Sequence, residues 1–330
     1  MGHRKHSAPK RGSMAYSPRK RAGRFEPEVR TWPVIDSDKP TLLGFAGYKV
    51  GMIHVITVDD REGTPNFGKP LMNSATIIAT PPLKIIGFRG YEKSVYGLNT
   101  LFDVYSNSMP KEINRKIRIK VPDQDKTISD AESKFDKLYS LNAIVCTIPR
   151  EAGLEQKKPF IFEIGVGGGD LKARFEYLKS LLGNEVRVND IFKPGMFIDT
   201  SGITKGKGFE GPVTRWGIKR KQHKSRKSVR AVGTLGPWNP RSVMYTVPRA
   251  GQRGFHQRTE YNKRILSINN PQENNITPSG GFMHYGVLKS DYLIVRGSVP
   301  GTIKRLIKMR YAIRSKAKII APNIMEMVVR

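Results

Sequence analysis

The sequence predicts a mainly β fold with inserted helices, built around a small closed barrel. Short runs rich in β-branched and aromatic residues recur between Gly, Pro and Asn turns, and only two segments have a helical period. The 32 glycines and 22 prolines favour many turns over a helical bundle. With 330 residues and 38% hydrophobic content, the chain can bury one sizeable core or two modest ones.

The first predicted strands lie between residues 47 and 88. Residues 47–58, with the sequence GYKVGMIHVITV, end in the β-branched residues typical of a strand. Residues 75–79 and 85–88 are two further short apolar runs, and the breaker Pro81-Pro82 separates them. The segment 106–122 is basic and irregular, so no regular element is predicted there.

A first helix is predicted from Ser129 onward, at the end of an acidic patch that covers 123–136. Its apolar face would consist of Phe135, Leu138 and Leu141. Other short apolar runs are predicted to be strands joined by Gly, Pro and Asn turns. They lie at 143–148, 160–166, 196–200, 265–268, 286–288, 292–295 and 303–307.

A second helix is predicted after the glycine-rich segment 163–170, EIGVGGGD. Asp170 is a natural N-cap, and Gly183 suits a left-handed C-terminal cap. The pattern also resembles the cofactor loop of S-adenosylmethionine-dependent methyltransferases, so an RNA methyltransferase is the alternative hypothesis. Against that alternative, the segment lies mid-chain without alternating strand–helix repeats, and the catalytic motifs of such enzymes are missing. The apolar face of the helix consists of Leu171, Phe175, Leu178, Leu181 and Leu182.

The charge balance predicts a polyanionic partner. The chain has 58 Lys and Arg against 28 Asp and Glu, a formal charge of +30 and a pI of about 10.3. Binding to phosphate backbones releases condensed counterions, and a surplus this large points to nucleic acid. A membrane partner is not expected, because no amphipathic helix has a clean basic face and no apolar run approaches about 18 residues.

Two stretches concentrate this charge. Residues 1–25 contain eight Lys and Arg, no acid and no apolar core of a secretory signal. A mitochondrial transit peptide is disfavoured, because nothing there makes an amphipathic helix. Residues 211–259 also contain no Asp or Glu, and their sparse apolar residues cannot bury a core. Either stretch alone could be a solvated, disordered segment, but together they favour segments that become ordered on RNA.

These observations divide the chain into four segments. We predict a basic N-terminal arm at 1–40, a barrel body with helical insertions at 41–204, a basic RNA-threading loop at 205–264, and strands that complete the barrel at 265–330. The single Cys146 excludes an internal disulfide and every Cys-based metal site, and it suits a reducing compartment. His3, His6 and His223 lack partners at metal-ligand spacing, so no metal is expected.

Within the loop, two tryptophans and two glycines carry specific hypotheses. Trp238 lies between Gly and Pro residues, where it is poorly placed for a core but can stack on an unpaired base; a local hydrophobic plug is the alternative. For Trp216, burial under the barrel edge and stacking both stay open. Gly251 and Gly254 would let backbone N–H groups approach phosphate among arginines that grip it with two N–H groups.

Two other hypotheses, a P-loop and a DNA-binding protein, are disfavoured because the required spacing or motif is missing. Residues 202–208 are one residue short of a P-loop, and Gly208 stands where Ser or Thr would hold magnesium. A chromatin or general DNA-binding protein would be compatible with the charge, but the sequence has no helix-turn-helix, zinc finger or basic zipper. An extended basic loop suits the irregular clefts of structured RNA better.

Four segments resemble the universal ribosomal protein L-three family of the large subunit. They are GYKVGM at 47–52, GKGFEGPVTRWG at 206–217, GTLGPWNPRSV at 233–243 and PRAGQRGFHQRTEYNKRI at 248–265. Their glycine, aromatic and basic positions all match those of the family, and the four segments occur in the same order along the chain. The length is similar to the archaeal form, without the long basic C-terminal extension of eukaryotic members.

The resemblance implies a translation-protein-type β-barrel body, with an arm and a central loop that run inward through ribosomal RNA. It places the loop tip at 236–240, near the peptidyl-transferase region, with Trp238 close to the tip. It implies a structural, non-enzymatic role in subunit assembly, without a cofactor, in cytoplasmic ribosomes. The expected partners are large-subunit RNA and neighbouring ribosomal proteins; DNA, membranes and a second copy of this chain are not expected partners.

The candidate RNA-binding residues are the basic side chains of the arm and loop, with the polar and aromatic residues interleaved among them. They are Arg4, Lys5, Lys10, Arg11, Arg19, Lys20, Arg21, Lys205, Lys207, Arg215, Trp216, Lys219, Arg220, Lys221, His223, Lys224, Arg226, Lys227, Arg230, Trp238, Arg241, Arg249, Gln252, Arg253, His256 and Arg258.

Overall fold

The computed structural model describes residues 12–117, 123–225, 227–315 and 319–329. These residues are mainly β, as predicted, with three short α-helices and four 3-10 helices. The strands are β1 Thr41–Leu42, β2 Gly44–Val58, β3 Pro70–Ala79, β4 Leu83–Ser94, β5 Gly97–Tyr105, β6 Ser140–Thr147, β7 Ile161–Gly167, β8 Glu185–Val186, β9 Phe197–Ile203, β10 Gly206–Glu210, β11 Gly251–Gly254, β12 Gln257–Asn269, β13 Tyr292–Arg296, β14 Leu306–Tyr311 and β15 Ile324–Val328. The α-helices are α1 Gln124–Ser133, α2 Leu171–Leu181 and α3 Pro212–Trp216, and the 3-10 helices are Met14–Tyr16, Lys111–Arg115, Phe135–Lys137 and Val188–Asp190.

The chain forms two compact units. The first, called the body here, comprises Glu26–Gly202 and Thr259–Arg330. The second, called the basic unit, comprises Met1–Phe25 and Ile203–Arg258. Residues 26–40, which the sequence analysis assigned to the arm, thus belong to the body.

One sheet of the body closes into a barrel. Its strands run in the order β14-β9-β12-β13-β3-β2-β15, and β14 also pairs with β2. The long strand β2 makes this closure possible: its start pairs with β14, as Tyr48 with Leu306, and its end pairs with β15, as Thr57 with Ile324. A closed ring leaves no unpaired edge in its six strands, and it confirms the predicted barrel.

A second sheet of the body was not predicted as a separate layer. Its strands run in the order β1-β7-β6-β4-β5, with β8 paired to β4, and the neighbouring strands are antiparallel. Helix α2 packs on this sheet through Phe175, whose ring lies edge-on to Phe88 at 5.3 Å and to Phe135 at 5.8 Å. Edge-on aromatic pairs add stability beyond the buried area itself.

The two sheets share one hydrophobic core. Phe45, Tyr48 and Ile77 of the barrel and Ile85 and Phe88 of the second sheet are all fully buried in it. The Tyr48 hydroxyl donates to Thr147 Oγ1 at 3.0 Å, so the polar group is satisfied inside the core. Burial raises the pKa of Tyr48 far above its ordinary value, so the phenol stays protonated as a donor.

Trp32 explains why residues 26–40 belong to the body. Its indole lies against Gly44 and Gly165, where an added Cβ would come within 2.7 Å and 2.6 Å of the ring. Nearby, Arg310 Nη1 donates to the Thr31 carbonyl at 2.6 Å. The glycines in β2 and β7 therefore form a flat seat for the tryptophan.

Most of the strand predictions are confirmed, with boundaries that shift by a few residues. The strands predicted at 47–58, 75–79, 85–88, 143–148, 160–166, 196–200, 265–268 and 292–295 correspond to β2, β3, β4, β6, β7, β9, β12 and β13. The helix after Asp170 is also confirmed as α2, and Gly183 has a left-handed φ of +82°. Asp170, however, makes no side-chain capping hydrogen bond.

Three element predictions are wrong. The first helix lies at Gln124–Ser133 and not from Ser129 onward, because Lys134 leaves helical geometry and Leu141 belongs to β6. Residues 286–288 form only an isolated bridge, since Gly286 has a φ of +101° and turns the chain. The strand predicted at 303–307 is displaced to β14 because Lys304 has a positive φ of 66°. The predictions also missed β5 and the terminal strand β15.

Candidate nucleic-acid interface

The basic unit concentrates the positive charge of the chain. Its sequence contains 22 Lys and Arg and a single acid, Glu210, whereas the body contains 36 Lys and Arg and 27 Asp and Glu. The formal charge is therefore +21 on the basic unit and +9 on the body. Glu210 itself is paired with Arg253 at 2.7 Å. An excess of this kind on one unit is the electrostatic footprint of a nucleic-acid-binding surface.

The arm and the base of the loop are hydrogen-bonded to each other through their backbones. Ala22 N donates to the Phe255 carbonyl at 2.8 Å, and His256 Nδ1 bonds the Lys20 carbonyl at 2.9 Å. The ring of Phe25 lies edge-on to that of Phe255 at 5.3 Å. The arm and the loop were predicted as separate segments, and the contact between them was not predicted.

Strands β10 and β11 form the base of the loop. They pair antiparallel, with Phe209 opposite Gln252. Gly254 has a φ of +71°, and an added Cβ would lie 2.0 Å from the Lys205 carbonyl oxygen, so a larger residue does not fit there. The glycine thus serves a tight turn of the chain, where the sequence analysis proposed close approach to phosphate.

Arg215 organises the junction. It lies on α3, which begins with a proline at its first turn and ends at Gly217 in left-handed conformation. Its guanidinium donates to three backbone carbonyls, those of Gln252 at 2.9 Å, Arg249 at 3.0 Å and Arg19 at 3.2 Å. Neutral acceptors hold the side chain in place and leave its charge uncancelled.

Arg19 and Trp216 complete this arrangement. Arg19 Nη1 donates to the Arg215 carbonyl at 2.8 Å, and its guanidinium lies 3.9 Å from the ring centre of Trp216. Trp216 Nε1 donates to the Arg249 carbonyl at 3.0 Å. The indole is only 8% exposed, so Trp216 is buried in the junction, next to Arg19 and Arg249 of the basic unit. This burial within the basic unit differs from both alternatives that the sequence left open, burial under the barrel edge and stacking.

Burial and like charges act together on the titratable groups here. Burial lowers the pKa of Arg215, and the positive charge of Arg19 lowers it further. Burial also lowers the pKa of His256 below its ordinary value, with further lowering from Arg258, Arg215 and Arg19. The imidazole is therefore neutral at neutral pH. A nearby anion would relieve the repulsion among these arginines.

The distal part of the loop is open to solvent. Trp238 is 81% exposed, and the Arg241 guanidinium lies 5.9 Å from its ring centre. The predicted local hydrophobic plug is therefore not formed by Trp238. Tyr245 is also 84% exposed. An exposed aromatic ring beside basic side chains can take a stacked base on its free face.

The predicted site residues differ in exposure. Trp216 and His256 are buried, and Arg19, Arg215, Lys221, Gln252, Arg253 and Arg258 are half-buried. The exposed ones are Lys20, Arg21, Lys205, Lys207, Lys219, Arg220, His223, Lys224, Lys227, Arg230, Trp238, Arg241 and Arg249. Arg4, Lys5, Lys10, Arg11 and Arg226 lie outside the described residues.

The sequence analysis overlooked three aromatic residues of the basic unit. Phe255 packs in the junction, and Tyr16 lies beneath the Arg258 guanidinium at 4.8 Å. Tyr245 lines a cleft with Trp216. An aromatic residue inside a basic, acid-free span is the pattern that indicates them, as it does for the two tryptophans.

The glycine-rich segment 163–170 does not form a cofactor loop. Gly169 N donates to the Ser37 carbonyl at 2.7 Å, and a Cβ on Gly168 would lie 2.3 Å from the Lys39 carbonyl oxygen. The chain itself thus fills the space beside these glycines in which a cofactor would lie. Moreover, β7 pairs antiparallel with both β1 and β6, whereas the methyltransferase fold requires parallel strands.

Among the described residues, no group of three or more His, Cys, Asp or Glu side chains is placed to hold a metal ion. None of the helices in the described part of the chain combines the length and hydrophobicity that crossing a membrane requires.

Comparison with known proteins gives a consistent result. The family model for ribosomal protein L3 matches residues 1–328. The large ribosomal subunit protein uL3 of Caldivirga maquilingensis is 47% identical, over 93% of this chain and 90% of that protein. The uL3 proteins of Methanothermobacter thermautotrophicus and Methanocaldococcus jannaschii are each 44% identical, over 95% and 94% of this chain and 94% and 93% of their own lengths.

Proposed function

The chain belongs to the ribosomal protein L3 family, and we propose that it is a structural, non-enzymatic component of the large ribosomal subunit in the cytoplasm. In this role the body anchors the protein, and the basic unit binds large-subunit ribosomal RNA during assembly. Neighbouring ribosomal proteins would pack on the body. No observation favours the methyltransferase alternative, because its cofactor loop is filled by the chain itself.

One observation carries this proposal: the basic unit has 22 cationic side chains, and its junction arginines donate to backbone carbonyls. The carbonyls fix the positions of these arginines, and the positive charge of the unit is not neutralised. Phosphates of a folded RNA supply negative charge at a matching density, and their condensed counterions are released on binding. The exposed cations of the loop would contact phosphates, while the junction holds the arm against the base of the loop.

The test is fractionation of a native lysate on a sucrose gradient, with detection of this chain by mass spectrometry. We expect the chain in the large-subunit fraction, with retention after a wash at about 0.5 M salt, because a threaded loop is released slowly. If the chain sediments as free protein at low salt, the ribosomal proposal is wrong. A parallel assay with radiolabelled S-adenosylmethionine examines the alternative, and no specific binding is expected.

A finer part of the proposal concerns the loop tip, residues 236–240, which we place near the peptidyl-transferase region. Trp238→Ala should leave the protein in large subunits, because the ring is exposed and supports no core. Chemical probing of those subunits should show changed reactivity at RNA bases near the tip, by about fivefold or more, since one base–aromatic stack is worth about 1–3 kcal/mol. An unchanged probing pattern would remove the tip from the proposal.

A further inference from the structure

A cleft of about 620 Å³ lies within the basic unit, at the junction of arm and loop. Its lining comes from two parts of the basic unit. One part is arm residues 17–19 with Arg215 and Trp216, and the other is the loop segment 243–249. Clefts of about 300–1,000 Å³ are the size that encloses a small organic ligand, and a single nucleotide falls within that range.

The two parts of the lining differ in whether their side chains already have partners within the protein. Trp216 is closed off, since Arg19 covers one face of the indole and its Nε1 is bonded to the Arg249 carbonyl. Tyr245, by contrast, is 84% exposed, and its ring and hydroxyl have no partner among the described residues. Met244 beside it is 51% exposed. The loop side therefore offers a free aromatic and thioether surface that the protein itself does not cover.

The charge around the cleft is entirely positive. Arg19, Arg215 and Arg249 line it, and no acidic side chain does. The first two donate to backbone carbonyls. The guanidinium of Arg249 is exposed and makes no hydrogen bond or ion pair with any described residue, although its carbonyl accepts from Arg215 and Trp216. An anionic group can therefore be bound at Arg249 without displacing an existing contact.

We propose that this cleft holds one unpaired nucleotide of the RNA, with its base against Tyr245 and Met244 and its phosphate at Arg249. The inference rests on the proposed function and names the RNA element that this part of the interface takes. Unstacked bases in loops and bulges are the elements that aromatic side chains of RNA-binding proteins take up.

The tip and the cleft make different contacts under this proposal. Trp238 has no enclosing wall, so it can only cover a base from one side. The cleft is a concave site lined by both the arm and the loop, which gives it a stricter requirement for an extruded base. The two sites should therefore leave separate signatures in the RNA.

The first experiment uses the unaltered protein in purified large subunits. Ultraviolet irradiation at about 254 nm joins stacked aromatic residues to bases, and trypsin then separates residues 231–241, which contain Trp238, from residues 242–249, which contain Tyr245. We expect peptide 242–249 to carry a single nucleotide adduct at Tyr245. Adducts on 231–241 without any on 242–249 would overturn the proposal and leave the ribosomal function intact.

The second experiment identifies the nucleotide. Large subunits with Tyr245→Ala should show a rise of about fivefold or more in the chemical reactivity of one or two unpaired nucleotides, since loss of a base–aromatic stack has at least that effect. Tyr245→Phe, which keeps the ring, should not. The matched control is Phe209→Ala, which removes a ring that is 79% exposed and does not line the cleft.

The outcomes separate the two proposals. Wild-type reactivity in Tyr245→Ala subunits overturns the cleft assignment, as does an increase that Phe209→Ala reproduces at the same nucleotides. If Tyr245→Ala protein does not enter subunits, the adduct on peptide 242–249 of the unaltered protein decides the question by itself. Absence of the unaltered protein from large subunits is a failure of the proposed function and not of the cleft.

Discussion

The body and the basic unit use their cationic side chains in opposite ways. In the body, Arg89 lies between Asp103 at 2.6 Å and Glu163 at 2.9 Å, and the hydrogen bond that its guanidinium donates to Asp103 raises the pKa of Arg89. In the basic unit, Arg215 donates to three carbonyls, and burial lowers its pKa. The first arrangement neutralises a charge, whereas the second only fixes its position.

The two units differ in the same way in what they bury. Nearly all of the hydrophobic core belongs to the body. The basic unit buries few apolar side chains, among them Ile203 and Trp216. Apolar burial is the main stabilising contribution in folding, so we expect the body to fold by itself. The basic unit depends on hydrogen bonds and on an external anion, which makes it the part of the protein that RNA would complete.

The largest expected effect comes from removing the loop altogether. Deletion of residues 212–258, with a short Gly-Ser linker in their place, should abolish stable incorporation into large subunits. The deletion leaves the core of the body untouched, so the purified variant should keep a cooperative thermal transition by circular dichroism. Gradient fractionation measures incorporation. Normal large subunits containing the deleted protein would show that the body alone carries the binding.

The second prediction breaks a charge pair in the body. Asp199 is fully buried and accepts from Arg310 Nε at 3.2 Å, while Arg310 is only 5% exposed. Asp199→Ala would leave this buried guanidinium without its carboxylate, which costs about 3–5 kcal/mol in a protein interior. Urea denaturation of the purified protein measures the change in the free energy of unfolding.

A matched control for this change is Glu132→Ala. Glu132 pairs with Lys179 at 3.4 Å, but both side chains are about half exposed. An exposed pair contributes only about 0–1 kcal/mol, so the control should be nearly as stable as the unaltered protein. Equal losses from the two substitutions would contradict the view that the body depends on its buried charge pairs.

The third prediction applies the same reasoning to the basic unit. Arg215→Lys keeps the charge but cannot reach three carbonyls at once, because an ammonium lacks the planar fork. If Arg215 acts by position, the substitution should increase amide hydrogen exchange at 19–22 and 249–256, with a local loss of about 1–3 kcal/mol. The global unfolding of the body should be unchanged. Exchange rates equal to those of the unaltered protein would mean that only the charge of Arg215 matters.

A control within the same loop is Lys219→Ala. This residue is exposed, and its ammonium makes no hydrogen bond with any described residue. It should weaken RNA binding by one phosphate contact and leave amide exchange at the junction unaltered. The pair of variants thereby separates charge from position inside one unit.

The properties that depend on composition could be predicted from the sequence, and those that depend on distant pairing could not. The acid-free span 211–259 and the turn-rich, β-branched runs were enough to predict the charged interface and the barrel. The contact of Arg19 with Arg215 joins residues 196 positions apart, and no local pattern indicates it. Trp32 was likewise assigned to the basic N-terminal arm, because its contacts with Gly44 and Gly165 exist only once two strands have come together.

The smallest expected effect is a pH dependence of the junction. The pKa of His256 lies below its ordinary value of 6.5 because of burial and neighbouring arginines. The unfolded junction therefore binds a proton more readily than the folded one as pH falls through about 6.5, and the junction loses stability on the acidic side. Amide exchange at 20–22 and 255–256, corrected for its intrinsic pH dependence, should show more opening at pH 5.5 than at pH 7.5.

His256→Gln, which cannot take up a proton, should remove this difference. The exchange of body amides, such as those of β3, should be insensitive to pH in both proteins. An acid-labile junction in the Gln variant would assign the effect to another group. An acid-stable junction in the unaltered protein would mean that the arginines around His256 are already screened, and that the contrast between the two units is weaker than their hydrogen bonds indicate.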